Sequence, residues 1–159
     1  MERSVKIIIV LVFICGILAG VVLTGLLTPH TIHPGKMIIV SKNAPEPVGP
    51  YSQAVRYGNF VHLSGQIGID PKTGNLPGTT AEQTRQAMEN LHSVLNESGL
   101  GFDDVIQTRI YLVNMSDWTT VNAIYGSYFN ASYPARSTVQ VAGLPKGAAV
   151  EIEMIAQER

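Results

Sequence analysis

From Met37 onward, apolar and polar positions alternate between two periods, the mark of strands interleaved with helices. Met37 to Val40 is a short apolar strand, and Ser52 to Tyr57 with Phe60 to Ile67 read as a hairpin turning at Gly58-Asn59. A turn-rich loop, Asp70 to Gly78, follows. Thr79 or Thr80 then caps a helix, with Glu82 and Gln83 in capping-box positions. Its apolar stripe is Ala87 or Met88, Leu91, Val94 and Leu95, and Gly99 ends it. Val105 to Val113 is a strand. Ser116 is expected to cap a second helix carrying Trp118, Val121, Tyr125 and Tyr128 at helical spacing. Two last strands, Arg136 to Ala142 and Ala149 to Gln157, are joined by a turn at Pro145-Lys146-Gly147. The predicted order is β-β-β-α-β-α-β-β, an α+β domain with both helices on one face of a mixed sheet.

Alternation also assigns faces. Val150, Ile152, Met154 and Ala156 form one apolar row, so Glu151 and Glu153 lie on the other side. Val61 and Leu63 oppose His62, Ser64 and Gln66, while Val139 and Val141 oppose Arg136, Thr138 and Gln140. The expectation is a polar sheet face directed away from the helices that holds both Arg136 and Glu151. A plain solvent-facing sheet would show the same pattern. Ile155 and Tyr111 within the polar rows point to partial cover by another subunit.

The front of the chain differs. Ile7 to Leu27 is an uncharged run of 21 apolar and small residues, preceded by Arg3 and Lys6. At about 1.5 Å per residue it would span roughly 30 Å, the hydrocarbon thickness of a bilayer. The expectation is a retained anchor over residues 1–28, a linker over 29–36 and a folded domain over 37–159, in a single-pass membrane protein with its folded domain outside the cytoplasm. His30 and His33 fall in the linker and lack the further ligand a metal site needs.

Composition narrows the chemistry. The 11 basic and 12 acidic residues balance, with no basic stripe for nucleic acid. A single cysteine, Cys15, excludes an intrachain disulfide and a cysteine-built zinc site. No phosphate-binding glycine loop occurs. His62 and Ser64 share a strand face, but H-L-S-G-Q is not a nucleophile elbow.

Six segments, read in order, carry a resemblance: GPYSQAV (49–55), SGQIGIDPKTG (64–74), QTRQAMENL (83–91), VNAIY (121–125), YPARSTV (133–139) and VEIEMIA (150–156). Together they resemble the RidA (YjgF) family over residues 42–159. The resemblance implies a chorismate-mutase-like fold, a homotrimer with sites in clefts between subunits, and no cofactor or metal. It implies hydrolysis of 2-aminoacrylate-type enamines and 2-imino acids to 2-keto acids and ammonia. Arg136 resembles the arginine that grips the substrate carboxylate, and Glu151 the acid that handles the hydrolytic water. Tyr51, Ser64, Gly65 and Asn122 resemble the remaining pocket residues. Many members have cysteine two residues after the arginine, where Thr138 stands here, and the segment between Phe129 and Tyr133 is shorter than in familiar members. Two other activities stay open at this stage: a non-catalytic trimer binding small carboxylates or unfolded clients at the membrane, and an RNA endonuclease, against which the charge balance weighs.

Overall fold

The computed structural model describes residues 35–159. Six strands, β1 (Met37–Ile39), β2 (Ala54–Tyr57), β3 (Phe60–Ile67), β4 (Val105–Leu112), β5 (Ala135–Gln140) and β6 (Val150–Gln157), form one sheet in the order β1-β2-β3-β6-β4-β5. Helices α1 (Thr80–Glu97) and α2 (Trp118–Gly126) pack on one of its faces. All neighbours run antiparallel except β4 and β5, which run parallel and use α2 as their crossover. The α+β class, the element order and the placing of both helices on one side of a mixed sheet match the expectation.

Helix α1 starts where its capping box predicts. Thr79 Oγ1 accepts from the Glu82 N–H at 3.2 Å, and Glu82 Oε2 accepts in return from the Thr79 N–H at 3.3 Å. Gly99, at φ +76°, turns the chain away after the last helical residue. Ala87, Met88, Leu91, Val94 and Leu95 are buried against Val61, Leu63, Ile110, Leu112, Val150, Ile152 and Met154 of the sheet. Each large side chain in this layer contributes about 1.5–3 kcal/mol through burial.

Three local expectations are corrected. Ser116 does not cap α2; it sits in a 3₁₀ turn, Met115–Asp117, and its own N–H donates to Asn114 Oδ1 at 3.0 Å, while Trp118 faces outward. The turn expected at Pro145–Gly147 is present, and β4 lies between the two strands it joins. The polar side chains of β3 do not all share a face, because Leu63 pairs with Met154 but Gln66 with Ile152. One extra residue at Ser64-Gly65 bulges the strand, so Gln66 turns in under the helices and Ile67 turns out beside Glu151. The faces of β5 are the reverse of the prediction. Arg136 pairs with buried Thr108 and Thr138 with buried Ile110, whereas Val139 pairs with Tyr111 on the open face and is 45% exposed. An edge strand left with little cover on either face does not sort its apolar residues inward.

The membrane placement is also corrected. Among the described residues no helix is long and apolar enough to cross a membrane. The longest, α1, is amphipathic, with Glu82, Arg85, Glu89 and Asn96 off its buried stripe. The 7–27 run, Cys15, His30 and His33 lie outside the described residues.

Candidate active site

The six candidate residues separate into two groups. Tyr51, Ser64, Gly65 and Glu151 line one cavity of about 310 Å³, together with Glu153, Val48, Ile67, Ile69 and Pro145. Arg136 and Asn122 line another, of about 470 Å³, with Tyr125, Gly126, Tyr133 and Pro134. Register puts the two groups on opposite faces of the sheet. Glu151 pairs with Tyr111 on the open face, and Arg136 pairs with Thr108 beneath α2. The expectation that one sheet face holds both Arg136 and Glu151 is therefore corrected: a single copy does not bring them together.

The acidic group is built around the bulge. Ser64 donates its hydroxyl to the Ser52 carbonyl at 2.7 Å and its N–H to the Gln53 carbonyl at 2.9 Å, which fixes the extra residue. Gly65 then passes directly beneath Glu151. A Cβ on Gly65 would stand 2.0 Å from Glu151 Oε1 and 2.8 Å from its carboxyl carbon. Only glycine leaves room for the acid to lie on the strand. Burial pushes the Glu151 carboxyl above the ordinary glutamate range, and the charge of Glu153 adds to the rise. Tyr51 faces this acid from the loop before β2, 45% exposed, with its hydroxyl accepting from the Val48 N–H at 3.3 Å.

That loop owes its shape to a residue that motif inspection passed over. The buried Gln53 side chain accepts from the Ser41 N–H at 2.6 Å and donates to the carbonyls of Ser41, Ala44 and Pro45 at 3.1, 3.3 and 2.8 Å. It lies inside the GPYSQAV segment, two residues after Tyr51. A glutamine followed by a buried strand was the available signal.

The cationic group is organised by α2. Arg136 Nη2 donates to Asn122 Oδ1 at 2.7 Å, and its guanidinium lies 4.8 Å from the centroid of the Tyr125 ring. Tyr125 is buried and donates its hydroxyl to Thr108 Oγ1 at 3.1 Å, so the ring beneath the arginine is itself held. Asn122 and Tyr125 stand three apart on one helical face. Tyr125 was predicted as core, and its second face as a platform for Arg136 was missed. With one of five N–H donors engaged by Asn122, the guanidinium keeps a fork of donors for a carboxylate.

Comparison with known proteins agrees with this architecture. A family model described as Endoribonuclease L-PSP matches residues 41–158. A RutC family protein of Pyrococcus horikoshii is 48% identical over 122 residues, covering 76% of this chain and 97% of that protein. The mouse 2-iminobutanoate/2-iminopropanoate deaminase is 46% identical over 122 residues, covering 76% of this chain and 90% of the relative. The crystal structure of Escherichia coli TdcF with bound serine superposes with a TM-score of 0.75 at 39% identity, over 77% of this chain and 99% of that one. These matches define a small α+β protein of the Rid type. The chain belongs to the Endoribonuclease L-PSP family, that of the RidA and YjgF proteins.

Proposed function

We propose that this protein is a hydrolytic deaminase that converts 2-aminoacrylate-type enamines and 2-imino acids to 2-keto acids and ammonia. In this proposal Arg136 and Asn122 of one copy face Tyr51, Ser64, Gly65 and Glu151 of the next, and three copies close the ring. The observation that carries it is the pair of complementary half-sites: a platform-held guanidinium with free donors, and a half-buried acid with a raised proton affinity. A family whose relatives include a named imine deaminase, and one solved with serine bound, supports the same assignment.

The chemistry follows from these groups. Arg136 takes the substrate carboxylate in two parallel hydrogen bonds, each contributing about 1.5–3 kcal/mol. Water adds through its oxygen to the carbon of the protonated imine while Glu151 accepts one of its protons, and the C=N electron pair becomes the nitrogen lone pair of a neutral carbinolamine. Glu151 returns that proton to the amino nitrogen, the carbon–nitrogen bond breaks with its electrons leaving on ammonia, and the carbinolamine hydroxyl gives its proton to Glu151 as the ketone forms. An imine carbon is already electrophilic, so positioned acid–base help, worth about 10²- to 10⁴-fold, is the main demand on the protein. Tyr51 and Asn122 orient the water or the carbinolamine. Thr138 keeps a small polar group in place of a thiol, which this sequence of steps does not use.

The test is ammonia release from imines generated in situ by an amino-acid oxidase. Arg136→Ala is expected to lower kcat/KM by about 10²- to 10⁴-fold, the loss of two charge-assisted bonds. Equal turnover by the variant and the parent protein would reject the role given to Arg136. Carboxylate binding without turnover on any imine would favour a non-catalytic binding protein instead. The family model's description names an endoribonuclease, but a net charge of −1 and a mixed-sign sheet face offer RNA no positive track.

A further inference from the structure

Glu151 has a charged neighbour that the steps above do not use. Glu153 projects from the same face of β6 two residues further on, about 7 Å along the strand, and lines the same cavity. Across the ladder Tyr111 stands opposite Glu151 and Arg109 opposite Glu153. Arg109 Nη1 donates to Glu153 Oε1 at 2.5 Å. Glu153 and Arg109 also line a shallower cavity of about 270 Å³ with His62 and Ile155, so Glu153 stands between the acid on one side and the guanidinium on the other.

We propose that Glu153 and Arg109 are positioning residues for Glu151: Glu153 holds a negative charge beside the acid, and Arg109 sets how much of that charge the acid feels. The inference rests on Glu151 being the acid–base group of the site. Its logic is electrostatic. A carboxylate beside another makes the second proton harder to remove, and a guanidinium bound to the first carboxylate cancels part of that effect.

The other groups facing Glu151 do not substitute for this pair. From β4 the facing group is Tyr111, whose phenol is pushed up by burial and then by Glu153. From β3 the neighbours are Ser64, Gly65 and Ile67, which carry no charge. Glu46 and Tyr51 lie across the cavity on the preceding loop, and His62 lies on the Glu153 side. In the assembled site Arg136 of a second copy faces the acid as well, with the substrate carboxylate between them. Only Glu153 is an acid on the same strand face, and its charge is among the causes that lift Glu151. The same pair makes Arg109 more basic than usual.

The experiment titrates Glu151 itself. Carboxyl ¹³C resonances of the full chain, labelled at glutamate and assigned by the resonance lost in Glu151→Gln, give its midpoint with and without the pair. Glu153→Gln is expected to lower the Glu151 midpoint by about half a pH unit, the size of a Coulomb term between charges about 7 Å apart in a hydrated setting. Arg109→Gln is expected to move it the opposite way, and Arg109→Lys to bring it back towards the parent value. A folded Glu153→Gln protein whose Glu151 midpoint stays put, or two neutral variants that shift it in the same direction, would overturn the inference. The acid limb of kcat/KM, measured on the same variants, speaks to the underlying assignment. Midpoints that move while the limb stays fixed uphold the electrostatic coupling and remove Glu151 from the chemistry.

Discussion

A methyl group at position 65 would overlap the carboxylate of Glu151, its Cβ standing 2.0 Å from Oε1, yet the clash is with the far end of a flexible side chain. Gly65→Ala is therefore expected to leave the fold intact and swing Glu151 off the strand. Ammonia release should fall by about 10²-fold, the lower bound of positioned acid–base help, with little change in the urea midpoint. An equal loss of stability and activity would mean that the glycine serves the backbone and not the acid. Glu151 has its own cost. Its proton affinity in the folded protein exceeds that in the unfolded chain, so the native state binds the extra proton in the window between the two values. Stability consequently falls as pH rises through that window, and the deficit persists above it. Glu151→Gln should melt higher than the parent near pH 7, and the gap should close below the ordinary glutamate range. A gap that widens on acidification would show a carboxylate that is stabilising when charged.

At the scale of elements, the buried amide of Gln53 is the clearest case of scaffold serving site. It satisfies one N–H and three carbonyls in the stretch from Ser41 to Pro45, and that stretch backs the loop carrying Tyr51. Gln53→Ala leaves several of these groups without partners, at about 1–3 kcal/mol for each that stays buried. The expected outcome is a loss of at least about 2 kcal/mol in denaturant unfolding, with a raised KM from a displaced Tyr51; an unchanged unfolding midpoint would deny the amide its structural role. Helix α1 could be read from sequence because its stripe, capping box and terminal glycine all act locally. The bulge at Ser64-Gly65 could not, since alternation assumes one residue per pleat and carries no mark of an inserted one. Strand β5 misled for a related reason: its valine, Val139, faces out, and its arginine folds in over an aromatic ring that sequence spacing assigns to the core. Motif resemblance nominated Arg136, Asn122, Tyr51, Ser64, Gly65 and Glu151 as candidates, but it did not show the split between them, which depends on sheet order.

At the scale of the whole molecule, the separation of cation and acid makes a demand that one copy does not meet. The open sheet face bears Ile38, Val139 and half-buried Tyr111 and Ile155, an apolar content suited to cover by another subunit. In a closed ring each site would take Arg136 from one copy and Glu151 from its neighbour. Arg136→Ala and Glu151→Gln would then each disable every site in a uniform assembly. Co-folding the two variants in equal amounts places an intact Arg136 beside an intact Glu151 in about a quarter of the sites, if the copies mix at random. Ammonia release should therefore recover to about a quarter of the parent level, from two preparations that are each nearly inactive. Sites contained within single copies would show no recovery whatever the mixing ratio, and that result would dismantle the shared-site proposal even if both residues proved essential.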